Sequence, residues 1–210
     1  MNPAPFEFYF DFSSPYGYFA STQIDALANE FGRTASWHPI LLGPIFKQSG
    51  AKPVVDVALK GAYALRDFAR TAELFDIPYA HPANFPIGTV AAARAMMWIE
   101  SRHGPAKAIT FARKAYHAFF VDGRDIGDTD VVITLGGDAG LDAGQLAEGM
   151  QDQAIKDALR KQVEEAMGKG VFGSPFIIVD GEPFWGFDRF DHIRRWLQRR
   201  YRQAPSAFTR

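Results

Sequence analysis

An alternating aromatic segment near the start of the chain runs directly into a serine–proline pair. Phenylalanine occupies every second position of Phe6–Phe12, and this alternation predicts a β-strand. Ser14 and Pro15 follow at once, and a serine before a proline is typical of a helix N-terminus, with the serine as the N-cap. Helical spacing then covers residues 16–31, and a second strand is predicted over 35–40. A strand, a helix and a strand in this order predict a crossover unit of an α/β fold.

The middle of the chain differs from its two ends because it is predicted to be helical. We predict an α/β domain formed by residues 1–45 and 151–210, with a helical insertion over 46–150. The remaining predicted helices are Lys60–Phe75, Thr89–Arg102, Ala106–Val121, Asp128–Ala139, Asp142–Met150, Asp152–Met167 and Asp188–Tyr201, and two late strands, Phe176–Val179 and Pro183–Trp185, are joined by an Asp180-Gly181 turn.

The composition excludes several classes of chemistry. The 210 residues include no cysteine, so the chain has no disulfide, no thiolate metal site and no thiol of its own, and a ligand must supply any reacting sulfur. The five histidines form no i,i+4 pair, and the aspartates of 122–130 miss the calcium-loop spacing, so we expect no metal site. GxSxG, Walker A and GxGxxG motifs are absent.

Charge and hydropathy limit the partners that we expect. The formal net charge is −1, and the arginine-rich segment 194–202 is interpreted as a solvated helix face, so no nucleic-acid partner is predicted. No stretch approaches the ~20 apolar residues that cross a bilayer, and the first residues do not resemble a secretory signal. We therefore predict a soluble, cytoplasmic protein without a membrane partner.

Ser14 has two interpretations. It can simply cap the helix that follows, since serine is a preferred N-cap residue. Alternatively, the exposed N–H groups and the partial positive charge of a helix N-terminus can hold an anion there. A thiolate placed at this point would be stabilised, and thiols ordinarily titrate near a pKa of ~8.5. The local sequence leaves both interpretations open.

A second serine–proline pair precedes the late strands. Ser174 and Pro175 stand directly before the strand predicted over 176–179. An X–Pro bond is cis in only ~5–6% of cases in folded proteins, so the pair alone is weak evidence. Together with Ser14 and Pro15, however, it resembles the two halves of a thioredoxin-fold site, in which a cis-proline loop faces the N-terminus of the first helix.

A series of motifs in matching order extends this resemblance over nearly the whole chain. The chain resembles the 2-hydroxychromene-2-carboxylate isomerase and kappa-class glutathione transferase family, a DsbA-like branch of the thioredoxin superfamily. This resemblance implies a thioredoxin-like α/β fold with a large helical insertion. The motifs are FYFDFSSPYGYFA at 8–20, PILLGPIFKQSGAKP at 39–53, LKGAY at 59–63, IPYAHPANFP at 77–86 and FGSPFIIVDGEPFWGFDR at 172–189.

The resemblance implies glutathione as the cofactor, with its sulfur near the Ser14-Pro15-Tyr16 element. Ser174, before a cis Pro175, would bind the cysteinyl backbone of glutathione. The remaining implied contacts are Phe187 and Asp188 to the γ-glutamyl end, Lys60 to the glycyl carboxylate, and Lys47 and Asn84 to an aromatic substrate. Asp188 could equally cap the last helix, and Lys60 could be an ordinary surface lysine. Ala51 departs from the family, which has asparagine there in its kappa members.

The implied function is glutathione-dependent isomerisation of 2-hydroxychromene-2-carboxylate to trans-o-hydroxybenzylidenepyruvate in naphthalene-type degradation, carried out by a homodimer. A kappa-like transferase or peroxidase is the alternative within the family. A non-catalytic thioredoxin-fold binding module is a third hypothesis, and the joint presence of Ser14, Lys60 and Asp188 argues against it.

Overall fold

A mixed four-stranded sheet brings the two ends of the chain together. The computed structural model describes residues 3–203. The strands are β1 (Phe6–Phe10), β2 (Ala35–Pro39), β3 (Phe176–Val179) and β4 (Glu182–Trp185), in the order β2-β1-β3-β4. β1 is parallel to β2, whereas the β1–β3 and β3–β4 pairs are antiparallel. The parallel pair requires a crossover connection, which the first helix provides.

Nine α-helices lie within the described part of the chain. Each predicted helix is present, with ends within two residues of the prediction. The helices are α1 (Pro15–Asn29), α2 (Leu42–Ser49), α3 (Lys60–Leu74), α4 (Val90–His103), α5 (Pro105–Phe120), α6 (Thr129–Asp138), α7 (Ala143–Gln151), α8 (Gln153–Gly168) and α9 (Phe190–Gln203), with short 3-10 helices at Val54–Asp56 and Phe187–Arg189.

Apart from shifts of one or two residues at element ends, three features of the structure differ from the sequence predictions. β1 ends at Phe10 rather than Phe12, because the Ser14 N–H donates to the Asp11 carbonyl over 3.0 Å and turns the chain out of the sheet. Asp188 lies inside the second 3-10 helix, so it does not begin α9. The helix α2 is not predicted from the sequence, since Pro44 interrupts the helical pattern. The helix can form because Pro44 lies in its first turn, where a backbone N–H would have no acceptor within the helix.

The alternation of β1 divides its side chains between the two faces of the sheet. Phe8 and Phe10 face the Trp37 ring, at centroid distances of 5.0 and 5.4 Å. Tyr9 belongs to the opposite cluster, together with Phe176 and with Leu159, Val163 and Ala166 of α8. Both faces of the sheet are therefore covered, which explains why all three of these β1 aromatics are buried.

The helical region packs continuously against the sheet domain. One cluster of buried residues includes Phe8 of β1, Phe68 of α3, Met96 of α4 and Leu146 of α7. The domain boundaries at 46 and 150 therefore remain a prediction. Within residues 3–203, no helix is long and apolar enough to cross a membrane.

The contact between α4 and α7 depends on a glycine. A Cβ atom added at Gly149 would overlap the indole ring of Trp98, which is itself 6% exposed. We expect Gly149→Ala to lower the free energy of unfolding by about 1–3 kcal/mol, the usual cost of overpacking a core. Gly137→Ala in α6 is the control, because no heavy atom lies within 4 Å of its added Cβ. It should be neutral or slightly stabilising in thermal melts, and equal effects of the two substitutions would contradict the packing argument.

Candidate functional site

The Ser14 hydroxyl joins the first helix to a distant loop. Its oxygen accepts a hydrogen bond from the Gly17 N–H at 3.0 Å, which confirms the predicted N-cap. The same hydroxyl donates to the Ser174 carbonyl at 2.9 Å. Ser14 is only 6% exposed. Because a hydroxyl has one proton to donate, it can serve a bound sulfur only by releasing the Ser174 carbonyl.

The loop that carries Ser174 is held from both sides. The Ser174–Pro175 peptide bond is cis, as the family resemblance implies. The Ser174 hydroxyl accepts a hydrogen bond from the Asp11 N–H at 3.0 Å, and the Pro175 carbonyl accepts one from the Gly186 N–H at 3.1 Å. The loop therefore contacts the end of β1 and the segment immediately before Phe187.

Gly17 allows the first turn of α1 to approach this loop. A Cβ atom at this position would lie 2.7 Å from both the Ser174 Oγ and the Tyr116 hydroxyl. Both distances are shorter than a carbon–oxygen contact allows, so a larger residue would push α1 away from the loop. Glycine at position 17 is thus required by close packing.

One first-turn amide of α1 remains available. Pro15 has no N–H, the Gly17 N–H donates to the Ser14 Oγ, and the Tyr18 N–H donates to the Ser14 carbonyl at 2.9 Å. Among residues 3–203, the hydrogen bonds of this turn leave the Tyr16 N–H without an acceptor. A free donor at a helix N-terminus is suited to an anion.

The Tyr16 side chain connects α1 to α3. Its hydroxyl donates to the Asp67 carboxylate over 2.5 Å, and its ring lies 5.0 Å from that of Phe68. Burial, reinforced by the bond to Asp67, raises the pKa of Tyr16 well above its ordinary value, so the hydroxyl remains protonated. Lys60 is exposed on the same helix, two turns before Asp67 and about 10 Å away along the axis.

Phe187 and Asp188 lie beside the same end of α1. The Phe187 ring is buried against Phe19 and Phe75, so a contact to a ligand would have to come from its backbone. The Asp188 carboxylate is exposed and accepts a hydrogen bond from Arg189 at 2.8 Å. Its charge contributes to the raised pKa of Tyr16, after burial and Asp67.

The two predicted substrate residues lie outside this hydrogen-bonded group. Lys47 is exposed on α2, and the Asn84 amide donates to the Asp125 carboxylate at 2.9 Å. A row of rings nevertheless connects the Asn84 segment to the site: Phe85 lies 4.9 Å from His81, His81 lies 6.3 Å from Phe68, and Phe68 contacts Tyr16. Ala51 is exposed, and its N–H donates to the Ser49 hydroxyl at 3.4 Å.

Sequence reasoning missed several residues that build the site. Gly17 and Tyr116 surround the Ser14–Ser174 contact, and Asp67 holds Tyr16. Asp11 and Thr89 are buried and hydrogen-bonded to each other. Of these residues, only Asp11 could have been noticed in the sequence, because it is a carboxylate between two phenylalanines near the end of a predicted strand.

Other candidate sites are not joined to this one. Within residues 3–203, no group of three histidine or acidic side chains is placed to hold a metal ion. A cavity of about 570 Å³ lies between α4 and α7, lined by residues that include Trp98, Arg102 and Glu148. No residue of the Ser14–Ser174 group lines it.

Comparisons with known proteins identify the family of this chain. A family model described as a DSBA-like thioredoxin domain matches residues 6–198. A 2-hydroxychromene-2-carboxylate isomerase from Sphingobium xenophagum is 31% identical, with 91% of this chain and 96% of the relative covered. Glutathione S-transferase kappa 1 from Rattus norvegicus is 27% identical, with coverages of 91% and 90%.

A solved structure supports the fold. A 2-hydroxychromene-2-carboxylate isomerase superimposes with a TM-score of 0.84 at 24% sequence identity, covering 97% of this chain and 99% of that one. The predicted thioredoxin-like α/β fold with additional helices is therefore confirmed. The chain belongs to the DsbA-like thioredoxin family, in the branch that contains the 2-hydroxychromene-2-carboxylate isomerases and the kappa-class glutathione transferases.

Proposed function

We propose that this protein is a glutathione-dependent isomerase that converts 2-hydroxychromene-2-carboxylate to trans-o-hydroxybenzylidenepyruvate. The observation that carries the proposal is the Ser14–Ser174 hydrogen bond, which joins the α1 N-terminus to the cis-proline loop in a chain without cysteine. The relatives named as isomerases support the reaction class. The relatives named as glutathione transferases support the cofactor.

The donor set at this site fits glutathione. The free Tyr16 N–H and the Ser14 hydroxyl, at the N-terminus of α1, suit a thiolate. The Ser174 backbone would hold the cysteinyl part of the tripeptide, next to Pro175. Lys60 would bind the glycyl carboxylate as a cation. Asp188, together with the Phe187 backbone, would bind the γ-glutamyl end, where an exposed carboxylate suits an ammonium group.

The cofactor supplies a thiol nucleophile, which can add to an unsaturated carbon and leave again, so that rotation about a conjugated bond becomes possible. Ser14 contributes a donor and does not attack. Its hydroxyl would turn from the Ser174 carbonyl toward the sulfur, while its oxygen continues to cap the Gly17 N–H. Tyr16 stays protonated beside Asp67 and helps to hold α3 next to the site.

The aromatic substrate would lie along the row of rings from Tyr16 to Phe85, near Asn84. Lys47 would approach it from α2. A cytoplasmic homodimer completes the proposal, as the resemblance to the kappa class implies. A kappa-like transferase is the second candidate, favoured by the 27% identity to a transferase that covers 91% of this chain.

The thiol balance separates these functions. We expect conversion of the chromene carboxylate to require added glutathione, because the chain has no thiol, and the amount of free glutathione to stay constant during turnover. Absorbance of substrate and product, together with a free-thiol assay, measures both quantities. Stoichiometric loss of glutathione with an aromatic electrophile, and no chromene conversion, would favour the transferase. If glutathione produced no heat of binding and no thermal stabilisation, only the hypothesis of a non-catalytic binding module would remain.

Ser14→Ala tests the hydroxyl as a donor. Loss of one charge-assisted hydrogen bond, worth ~1.5–3 kcal/mol, should raise the pKa of the bound thiol and slow turnover by roughly 10- to 100-fold. Glutathione should still bind, since other residues hold the rest of the tripeptide. Thiolate absorbance against pH, turnover and thermal melting are the measurements.

The matched control is Asp142→Ala, because Asp142 caps α7 by accepting from the Gln145 N–H at 2.8 Å. It should lose ~1 kcal/mol of stability and no activity. If Ser14→Ala behaves like this control, with an unchanged thiol titration, Ser14 is a helix cap only.

Lys60→Ala tests the predicted carboxylate contact. Because an exposed ion pair contributes up to about 1 kcal/mol, we expect the Kd for glutathione to rise about fivefold, with little change in kcat at saturation. Lys161→Ala is the control, since this exposed lysine on α8 pairs with Glu165 at 3.6 Å. Calorimetric titration gives both affinities, and equal Kd values for the two variants would remove Lys60 from the site.

A further inference from the structure

A buried carboxylate stands at the end of β1, directly before the turn that leads to Ser14. Asp11 is 3% exposed. Its Oδ1 accepts hydrogen bonds from the Ser13 N–H at 2.8 Å, the Ser13 hydroxyl at 2.9 Å and the Thr89 hydroxyl at 2.8 Å. Its Oδ2 accepts one from the Leu42 N–H at 2.7 Å. Each oxygen thus faces a backbone N–H, an arrangement that suits a group that only accepts.

The four donors belong to the beginnings of three helices. Ser13 precedes the N-cap of α1, Leu42 is the first residue of α2, and Thr89 is the residue before α4. Helix N-termini stabilise negative charge. A single carboxylate therefore ties together the starts of three helices, each of which begins near the candidate site or carries one of its residues.

The backbone of Asp11 closes a ring of hydrogen bonds with both serines. The Asp11 N–H donates to the Ser174 Oγ at 3.0 Å, the Ser14 N–H donates to the Asp11 carbonyl at 3.0 Å, and the Ser14 hydroxyl donates to the Ser174 carbonyl at 2.9 Å. The Tyr116 hydroxyl also donates to the Asp11 carbonyl at 3.0 Å. Movement of Asp11 would therefore move both halves of the site.

We propose that Asp11 is a positioning residue, whose carboxylate holds the turn before α1 so that Ser14 and Ser174 remain in register. The proposal rests on the proposed function for its link to turnover, but not for its structural content. Asp11 touches no reacting atom and acts through Ser14. Thr89 supports it from α4 through the hydroxyl contact at 2.8 Å.

Asp11→Asn tests the proposal with a side chain of nearly the same size. Whichever oxygen becomes an amide nitrogen, one N–H donor then faces another, because Ser13 and Leu42 donate to opposite oxygens. We expect turnover at saturating glutathione to fall at least 10-fold. Thr89→Val should lower turnover about threefold, and Thr89→Ser, which keeps the donor, should restore it.

A double-mutant cycle identifies the route of the effect. If Asp11 acts through Ser14, Asp11→Asn should cost less than threefold in turnover when Ser14 is already alanine, since residues of one network do not contribute independently. If the fold-loss of turnover in the double variant equals the product of the losses in the two single variants, the proposal is overturned.

Amide hydrogen exchange tests the same point without any ligand. The Ser14 and Gly17 amides should exchange at least 10-fold faster in Asp11→Asn, because their acceptors are the Asp11 carbonyl and the Ser14 hydroxyl. Amides in the middle of α7 serve as the reference and should not change. Equal acceleration in α7, or none at Ser14 and Gly17, would overturn the proposal.

The outcomes separate the two proposals. If the natural chain shows no glutathione-dependent turnover, the proposed function fails and hydrogen exchange alone decides the role of Asp11. If Asp11→Asn does not fold, the exchange rates of Thr89→Val decide it, and an unchanged Ser14 amide in that variant counts against the role. Faster exchange at Ser14 that Thr89→Ser reverses supports it.

Discussion

One hydrogen bond joins two segments that are 160 residues apart in the chain. The Ser14 hydroxyl donates to the Ser174 carbonyl at 2.9 Å, so the N-terminus of α1 meets the cis-proline loop at this point. The sheet makes this possible, because β1 and β3 are antiparallel neighbours: β1 ends just before Ser14, and β3 begins just after Ser174. Gly17 permits the approach, since any side chain there would meet the Ser174 hydroxyl or Tyr116. Gly17, Tyr116 and the backbone of Asp11 surround this contact.

The helix-cap and donor interpretations of Ser14 do not compete for the same atoms. A hydroxyl has one donor proton and two acceptor lone pairs. Ser14 uses a lone pair for the Gly17 N–H and its proton for the Ser174 carbonyl. A bound sulfur would compete only for the proton, so the cap can persist during the reaction that we propose. Because the chain has no cysteine, a ligand would have to supply the thiol, and Ser14 would act only as helix cap and hydrogen-bond donor.

Burial explains why the polar residues of the site depend on one another. Among residues 3–203, the buried polar or charged side chains are Asp11, Ser14, Ser21, Arg33, Thr89 and Ser174. Four of these six belong to the network around Ser14. An unpaired polar group in such surroundings is costly, so each must find its partner within the network. The loss of one donor is therefore expected to disturb several members together.

Local sequence patterns were sufficient for most of the secondary structure. Aromatic alternation predicted β1, and the serine–proline pair predicted the start of α1. The Asp180-Gly181 pair predicted the hairpin turn between β3 and β4, and these two turn residues have φ values of 53° and 81°. The helix α2 was missed because Gly43 and Pro44 weaken its pattern. The motif series also identified the family, since it extends over nearly the whole chain.

The sequence by itself determined the order of the strands and of every α-helix except α2, the thiol-free chemistry and the two serine–proline pairs, because these depend on residue type and local spacing. Only the tertiary structure showed that Asp11 accepts donors from residues 42 and 89, or that Tyr16 is bonded to Asp67. Such contacts join residues far apart in the chain, and no local pattern encodes them. The partners of a buried polar group are chosen when the elements pack, since only then is water removed from it.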